Sequence, residues 1–268
     1  MARGSSFTND IFDIVSLILI VGGVYYIATK TDILDDLKSR ISGLSNRSSG
    51  GGGSVIAGAT TDANGIKIPY KLTGKSVKIN EGSDHRNGKR YNVNHSFENY
   101  YMVGYFTLGK GQEIIELKAD GPNHGGCTSG DKCTWVEADY NINTGQVYFS
   151  AEYPHPTNHP AKSENKAQAP TAKAGQTIGF GVAAFWTPDK YRRLQIYLDH
   201  GGLVGGKPAN QWKLWLDRTD KGSITTPKLA KRQLPTSGKG LEAEIRMHSA
   251  TSGDTKMQFG SVHEIATS

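Results

Sequence analysis

His124, Tyr148, Tyr153 and His155 are the side chains of this sequence best suited to moving protons near neutral pH. They stand in two short stretches, DGPNHGGC and YFSAEYPHPTNHP. Imidazole and phenol groups take and give protons in general acid–base chemistry, and the prolines flanking His155 hold it rigidly. A second set, Glu116, Lys118, Ser150, Glu152, Gln195, Tyr197, Arg246 and His248, alternates with apolar or small residues in four runs. In a strand, residues i, i+2 and i+4 share a face. Ile115 and Leu117 therefore oppose Glu116 and Lys118. Val147, Phe149 and Ala151 oppose Tyr148, Ser150 and Glu152. Leu194, Ile196 and Leu198 oppose Gln195, Tyr197 and Asp199, and Glu242, Glu244, Arg246 and His248 share one face. An outer face gathering phenol, carboxylate, amide and cation suits a sugar polymer. A solvated outer face accounts equally for each strand taken alone, and a proline-rich corner with exposed histidines accounts for His155.

Other chemistries find less support. Glycosidases need paired carboxylates about 5–9 Å apart. The Glu-x-Asp-x-x-Glu strand of laminarinase-type enzymes is absent, the nearest stretch being Glu137-Ala138-Asp139 followed by Asn143. No Gly-x-Ser-x-Gly elbow or His-Glu-x-x-His helix occurs, and the glycine-serine run at Gly50 to Ser54 lacks the lysine and helix of a phosphate loop. The only cysteines, Cys127 and Cys133, are spaced CTSGDKC with no partner pair at zinc-finger spacing. A disulfide between them is expected, which places the domain in oxidising surroundings; two free thiols are the alternative. No cofactor is expected. Calcium through Asp120 or Asp254 has no motif behind it.

The elements that must position these groups are short β-type runs between Gly, Asn, Asp and Pro clusters. They are Ser76 to Ile79, Tyr100 to Leu108, Glu113 to Ala119, Thr134 to Ile142, Gln146 to Tyr153, Gln176 to Trp186, Arg192 to Asp199, Gln211 to Asp217, Glu242 to His248 and Gln258 to Glu264. Asn143-Thr144-Gly145 and Leu108-Gly109-Lys110-Gly111 read as turns between strands. The pattern predicts an all-β antiparallel sandwich or barrel over residues 55–268. Ahead of it, Ile11 to Ala28 (IFDIVSLILIVGGVYYIA) is the one long apolar run, just long enough to span a bilayer, with Tyr25 and Tyr26 near one interface. A membrane anchor over residues 1–30 is the favoured reading; a cleaved signal peptide and a buried core helix are the alternatives. Flanking charge hardly sets its orientation, since Lys30, Lys38 and Arg40 are mixed with Asp32, Asp35 and Asp36. Residues 31–54 predict a short amphipathic helix, with Ile33, Leu34, Leu37, Ile41 and Leu44 at helical spacing, and a flexible glycine-serine tether. The 268-residue chain carries a net charge of +6. That excess, concentrated in Lys75, Lys78, Arg86, Lys89, Arg90 and the Lys228 to Arg232 stretch, suits an anionic polymer. No nucleic-acid motif is visible, and nucleic acid is not an expected partner.

The order IIELKADGPNHGG, TWVEADYNINTGQVYFSAEYPHP, AGQTIGFGVAAFWTPDKYRRLQIYLD, NQWKLWLDRTDKG, LEAEIRMHSATSGDTKMQFGSVHEI resembles the concanavalin A-like jelly-roll superfamily of lectins, glucanases and polysaccharide lyases. The resemblance spans about residues 62 to 265. It implies a jelly-roll sandwich and an extracellular, lectin-like or lyase-like domain. YFSAEY is similar to the Tyr-Phe-Lys-x-Gly-x-Tyr strand of alginate-lyase jelly rolls. Glu116 and Lys118 stand where an Arg/Glu/Arg strand would, without its arginines, and no Gln-Ile-His segment follows. For a lyase, the resemblance implies that Lys118 or Arg246 neutralises the uronate carboxylate, His124 or His155 takes the C5 proton, and Tyr148 or Tyr153 protonates the leaving oxygen. The expectation is a membrane-tethered extracellular domain binding an acidic polysaccharide. A polysaccharide lyase acting by β-elimination, and a structural surface or virion protein, are the alternatives.

Overall fold

The computed structural model describes residues 59–85, 88–121, 135–152, 158–225, 241–248 and 255–267. Among these it is an antiparallel β-sandwich. One sheet has six strands in the order β16 (Lys213–Asp220), β13 (Arg192–Asp199), β12 (Thr177–Trp186), β6 (Tyr100–Thr107), β18 (Lys256–Ile265) and β3 (Leu72–Lys78). The other has eight, in the order β10 (Asn158–His159), β9 (Gln146–Glu152), β8 (Trp135–Asn141), β7 (Ile114–Gly121), β17 (Leu241–His248), β5 (Gly88–His95) and β4 (Asn80–His85), with β11 (Lys166–Gln168) also pairing with β9. The chain passes between the sheets repeatedly, so neighbours in space come from distant sequence.

Period-two alternation builds the core. Ile115, Leu117, Val136, Ala138, Val147 and Phe149 from the eight-stranded sheet join Met102, Phe106, Phe180, Val182, Leu194 and Ile196 from the six-stranded sheet in one buried cluster. Every run expected as a strand overlaps one. Strands β4 and β5 were not expected, because their composition is polar. Yet Tyr91, Val93 and His95 alternate inward on β5, and His85 pairs with Gly88 across a two-residue connection. The Asn143-Thr144-Gly145 turn joins β8 to β9 with Gly145 at φ 75°, and Gly111 takes φ 78° after β6, conformations that favour glycine.

A second cluster closes the outer face of the six-stranded sheet. Tyr101, Val103, Tyr105, Ala183 and Tyr197 are covered by Ile66, Ile68 and Trp212. Ile68 lies on β2 (Lys67–Ile68), which pairs with β1 (Thr60–Thr61). The turn between them is organised by Asp62, whose Oδ1 accepts the Asn64 and Ile66 N–H groups at 2.9 and 2.8 Å, while Oδ2 lies 3.3 Å from His263 Nε2. These contacts hold the Asp62 carboxyl below its usual range, against the opposing pull of burial.

Among the described residues no helix is long and apolar enough to cross a membrane. The apolar run, the amphipathic segment and the tether lie outside the described residues, as do Cys127, Cys133 and Asp254.

Candidate functional site

Strands β7, β8 and β9 lie side by side, and their register lines up the polar positions in rows. Lys118 sits opposite Glu137, and Glu137 opposite Ser150. One row over, Glu116 sits opposite Asp139, and Asp139 opposite Tyr148. Strand β17 continues both rows, placing Glu244 opposite Lys118 and Arg246 opposite Glu116; β5 then sets Asn92 and Arg90 in line. Glu152 lies two residues beyond Ser150 on the same face of β9.

This face is not solvated as an outer face ordinarily is. Lys118 is 0% exposed and Asp139 3%, with Glu116, Glu137, Ser150 and Glu152 also buried. The Lys118 ammonium lies 2.9 Å from Glu137 Oε1, 2.9 Å from Glu152 Oε2 and 3.7 Å from Glu116 Oε1. Ser150 Oγ donates to Glu137 Oε2 at 2.8 Å and lies 3.2 Å from Asp139 Oδ2. Burial lowers the proton affinity of Lys118, but the charges of Glu116, Glu137 and Glu152 outweigh it, and the net shift is upward. Burial also raises Asp139 well above the carboxylate range, helped by the charges of Glu116 and Glu137. Glu137 rises for the same reasons, with Lys118 opposing. The Tyr148 phenol is held neutral by burial and by the charges of Asp139, Glu116 and Glu137.

One lysine thus serves several carboxyls, with a serine bridging two of them. The gap between Glu137 and Glu152 is filled by the Lys118 ammonium, and that between Glu137 and Asp139 by the Ser150 hydroxyl. Neither gap leaves room for the water or sugar oxygen that a glycosidase places between its carboxylates. Lys118 is equally committed, so neutralising a uronate would first require breaking its ion pairs.

Of the sequence candidates, the structure brings Glu116, Lys118, Tyr148, Ser150 and Glu152 together. Arg246 and His248 join them only by register, on β17. Gln195 and Tyr197 belong to the other sheet, on its covered outer face. There Tyr197 Oη donates to Gln195 Oε1 at 3.0 Å, Tyr70 hydrogen-bonds Gln195, and Gln195 Nε2 reaches Asp217 Oδ2 at 2.8 Å. Arg193 Nε binds Asp217 Oδ1 at 2.8 Å. Gln195 and Tyr197 therefore cannot line one site with Lys118. His124, Tyr153 and His155 lie outside the described residues.

Glu137 and Asp139 are the residues that reading the sequence left out of the site. Their spacing on one strand face was visible, but not the two flanking strands that enclose them. A separate open cleft of about 310 Å³, lined by Leu108, Gly109, Gln112, Ile142, Asn143 and Lys173 among others, contains none of the predicted site residues. Among the described residues no group of His, Cys, Asp and Glu is arranged to hold a metal ion.

No family model matches the chain, and no curated protein matches it. Among solved structures, a carbohydrate-binding module (CBM66) from Bacillus subtilis aligns at 13% identity and a TM-score of 0.42, covering 72% of this chain and 97% of that one. The galectin LEC-6 of Caenorhabditis elegans aligns at 7% identity and 0.37, covering 70% and 94%. The family GH16 endo-beta-1,3(4)-glucanase SCLam aligns at 10% identity and 0.34, covering 65% and 61%. None of these likenesses assigns a ligand or a residue to this chain.

Proposed function

We propose that this chain is a carbohydrate-recognition domain, tethered through the apolar run at Ile11 to Ala28 and displayed outside the cell. The observation that carries the reading is the pair of polar rows across β9, β8, β7, β17 and β5. Sugar hydroxyls are recognised by hydrogen-bonding groups held in fixed orientation, so that little freedom is lost on binding. Ion pairs between buried strands supply that rigidity. In this reading the buried carboxyl–lysine cluster does not touch the sugar but holds the strands rigid beneath it, and half-buried Tyr148, at its edge, offers its ring to the ligand. The preference for an acidic polymer rests on a different region. Lys75 and Lys78 are exposed on β3, the edge of one sheet, while Lys89 and Arg90 lie on β5, next to the edge of the other.

The test is binding of the detergent-solubilised full chain to a panel of neutral and uronate polysaccharides, with unsaturated product followed in parallel. Saturable binding without product is expected. Tyr148→Ala should weaken it roughly tenfold, the equivalent of about 1.4 kcal/mol of lost ring contact. Binding to uronates should weaken with salt. Failure to bind any glycan would sink the proposal, and accumulation of unsaturated uronate would replace it with the lyase reading.

A further inference from the structure

We propose that Lys118 and Glu137 condense into a side-chain amide, a covalent cross-link between neighbouring strands β7 and β8 made by the folded protein itself. The two residues face each other directly in the register. Lys118 is wholly buried and Glu137 is 2% exposed, with Nζ and Oε1 2.9 Å apart. An amine and a carboxyl group held in contact react with an effective concentration far above any in solution. Water, which would otherwise favour the separated ions, is largely excluded.

The neighbouring groups fill the remaining roles. Glu152 Oε2, 2.9 Å from Nζ, is the base that takes a proton from the ammonium. Ser150 Oγ, 2.8 Å from Glu137 Oε2, donates to the oxygen on which negative charge develops. Glu137 reacts through its neutral acid form, toward which its burial and the charges of Glu116 and Glu152 shift it, with Lys118 opposing. The amine nitrogen attacks Glu137 Cδ to give a tetrahedral centre. Glu152 returns its proton to the departing hydroxyl and accepts the second proton lost by nitrogen. One C–N bond forms, one C–O bond breaks, one water leaves and no electrons change hands. Glu152 ends with the proton that began on the ammonium. Burial eases loss of that proton, but the net effect with the surrounding carboxyls is to retain it, so the link is expected to form slowly after folding.

The linkage is independent of any ligand and is read by mass. The full chain, purified in detergent, is reduced, denatured and weighed intact, with loss of the initiator methionine allowed for, and then digested. The expected mass is one water below that of the sequence, with fragment spectra joining the Lys118 and Glu137 peptides. Lys118→Arg and Glu152→Gln should restore the full mass. Glu137→Gln should give the same cross-linked product by releasing ammonia instead. A folded wild-type chain of full sequence mass would overturn the proposal, and this holds even if every variant fails to fold. A water loss mapped to a cyclic imide at Asp120–Gly121, or a link from Lys118 to another carboxyl, would also overturn it.

Discussion

At the scale of single residues, the buried carboxyl–lysine cluster links stability to pH. Asp139 has its proton affinity raised in the folded state, so between its unfolded and folded values the native protein binds more protons than the unfolded chain. Stability from this group is therefore fully present below the unfolded value, near 4, and is lost as pH rises through the folded one. Asp139→Asn removes the titration while keeping an acceptor for Ser150. Its melting temperature is expected to exceed the wild type by a margin that grows from pH 5 to pH 8, measured by thermal denaturation; a constant margin would refute the assignment. Lys118→Met removes the cation of the uncondensed cluster and with it the proposed link to Glu137, and is expected to cost at least the roughly 3–5 kcal/mol typical of breaking a buried ion pair from one side. Denaturant titration at neutral pH measures it.

At the scale of elements, turns and registers carry the argument. Gly145 ends the β8–β9 turn at φ 75°, and a Cβ there would lie 2.1 Å from the Ala169 carbonyl oxygen. Gly145→Ala is thus expected to destabilise by more than the ~1 kcal/mol of a strained φ alone, with a clear fall in melting temperature. Asp62 organises the β1–β2 turn by accepting two N–H groups and facing His263. Its depressed pKa makes its contribution present at neutral pH and lost as pH falls through the usual carboxylate range. Asp62→Asn should cost about 1–3 kcal/mol at pH 7 and much less near pH 3. The hairpin that Asp62 holds is what covers the six-stranded sheet, so the variant should also speed hydrogen exchange at Tyr101, Val103 and Tyr105.

At the largest scale, the described β-sandwich has two outer faces of different character. Aromatic and aliphatic side chains cover the six-stranded sheet, whereas the eight-stranded sheet carries buried polar rows with half-buried Tyr148, the side chain proposed to meet glycan, at their edge. The proposed tether predicts that the full chain sediments with membranes and resists alkaline carbonate extraction, whereas a chain starting near Thr60 does not. Recovery of the full chain in the soluble fraction would remove the anchor from the proposal.

Much of the sandwich was legible in the sequence because period-two alternation is a local property. Ile115 and Leu117, Val147 and Phe149, and Leu194 and Ile196 declare an inward face whatever strand lies beside them, and glycine in a short polar gap declares a turn. Strands β4 and β5 were hidden because NEGSDH and GKRYNVNH offer little apolar alternation, and sheet pairing rather than propensity makes them strands. The polar alternation also marked Glu116, Lys118, Tyr148, Ser150 and Glu152, since which residues share a strand face follows from spacing alone. Three matters belonged to tertiary structure: which strands are neighbours, which outer face is covered, and whether a polar face is wet. Only the register of β7 with β8 and of β8 with β9 sets Lys118 among Glu137, Glu152 and Glu116. Only the assignment of β13 to the six-stranded sheet withdraws Gln195 and Tyr197 from any site built around that lysine. The physical reason is that a side chain's direction depends on its own strand, whereas its burial and its partners depend on chain segments far away in sequence.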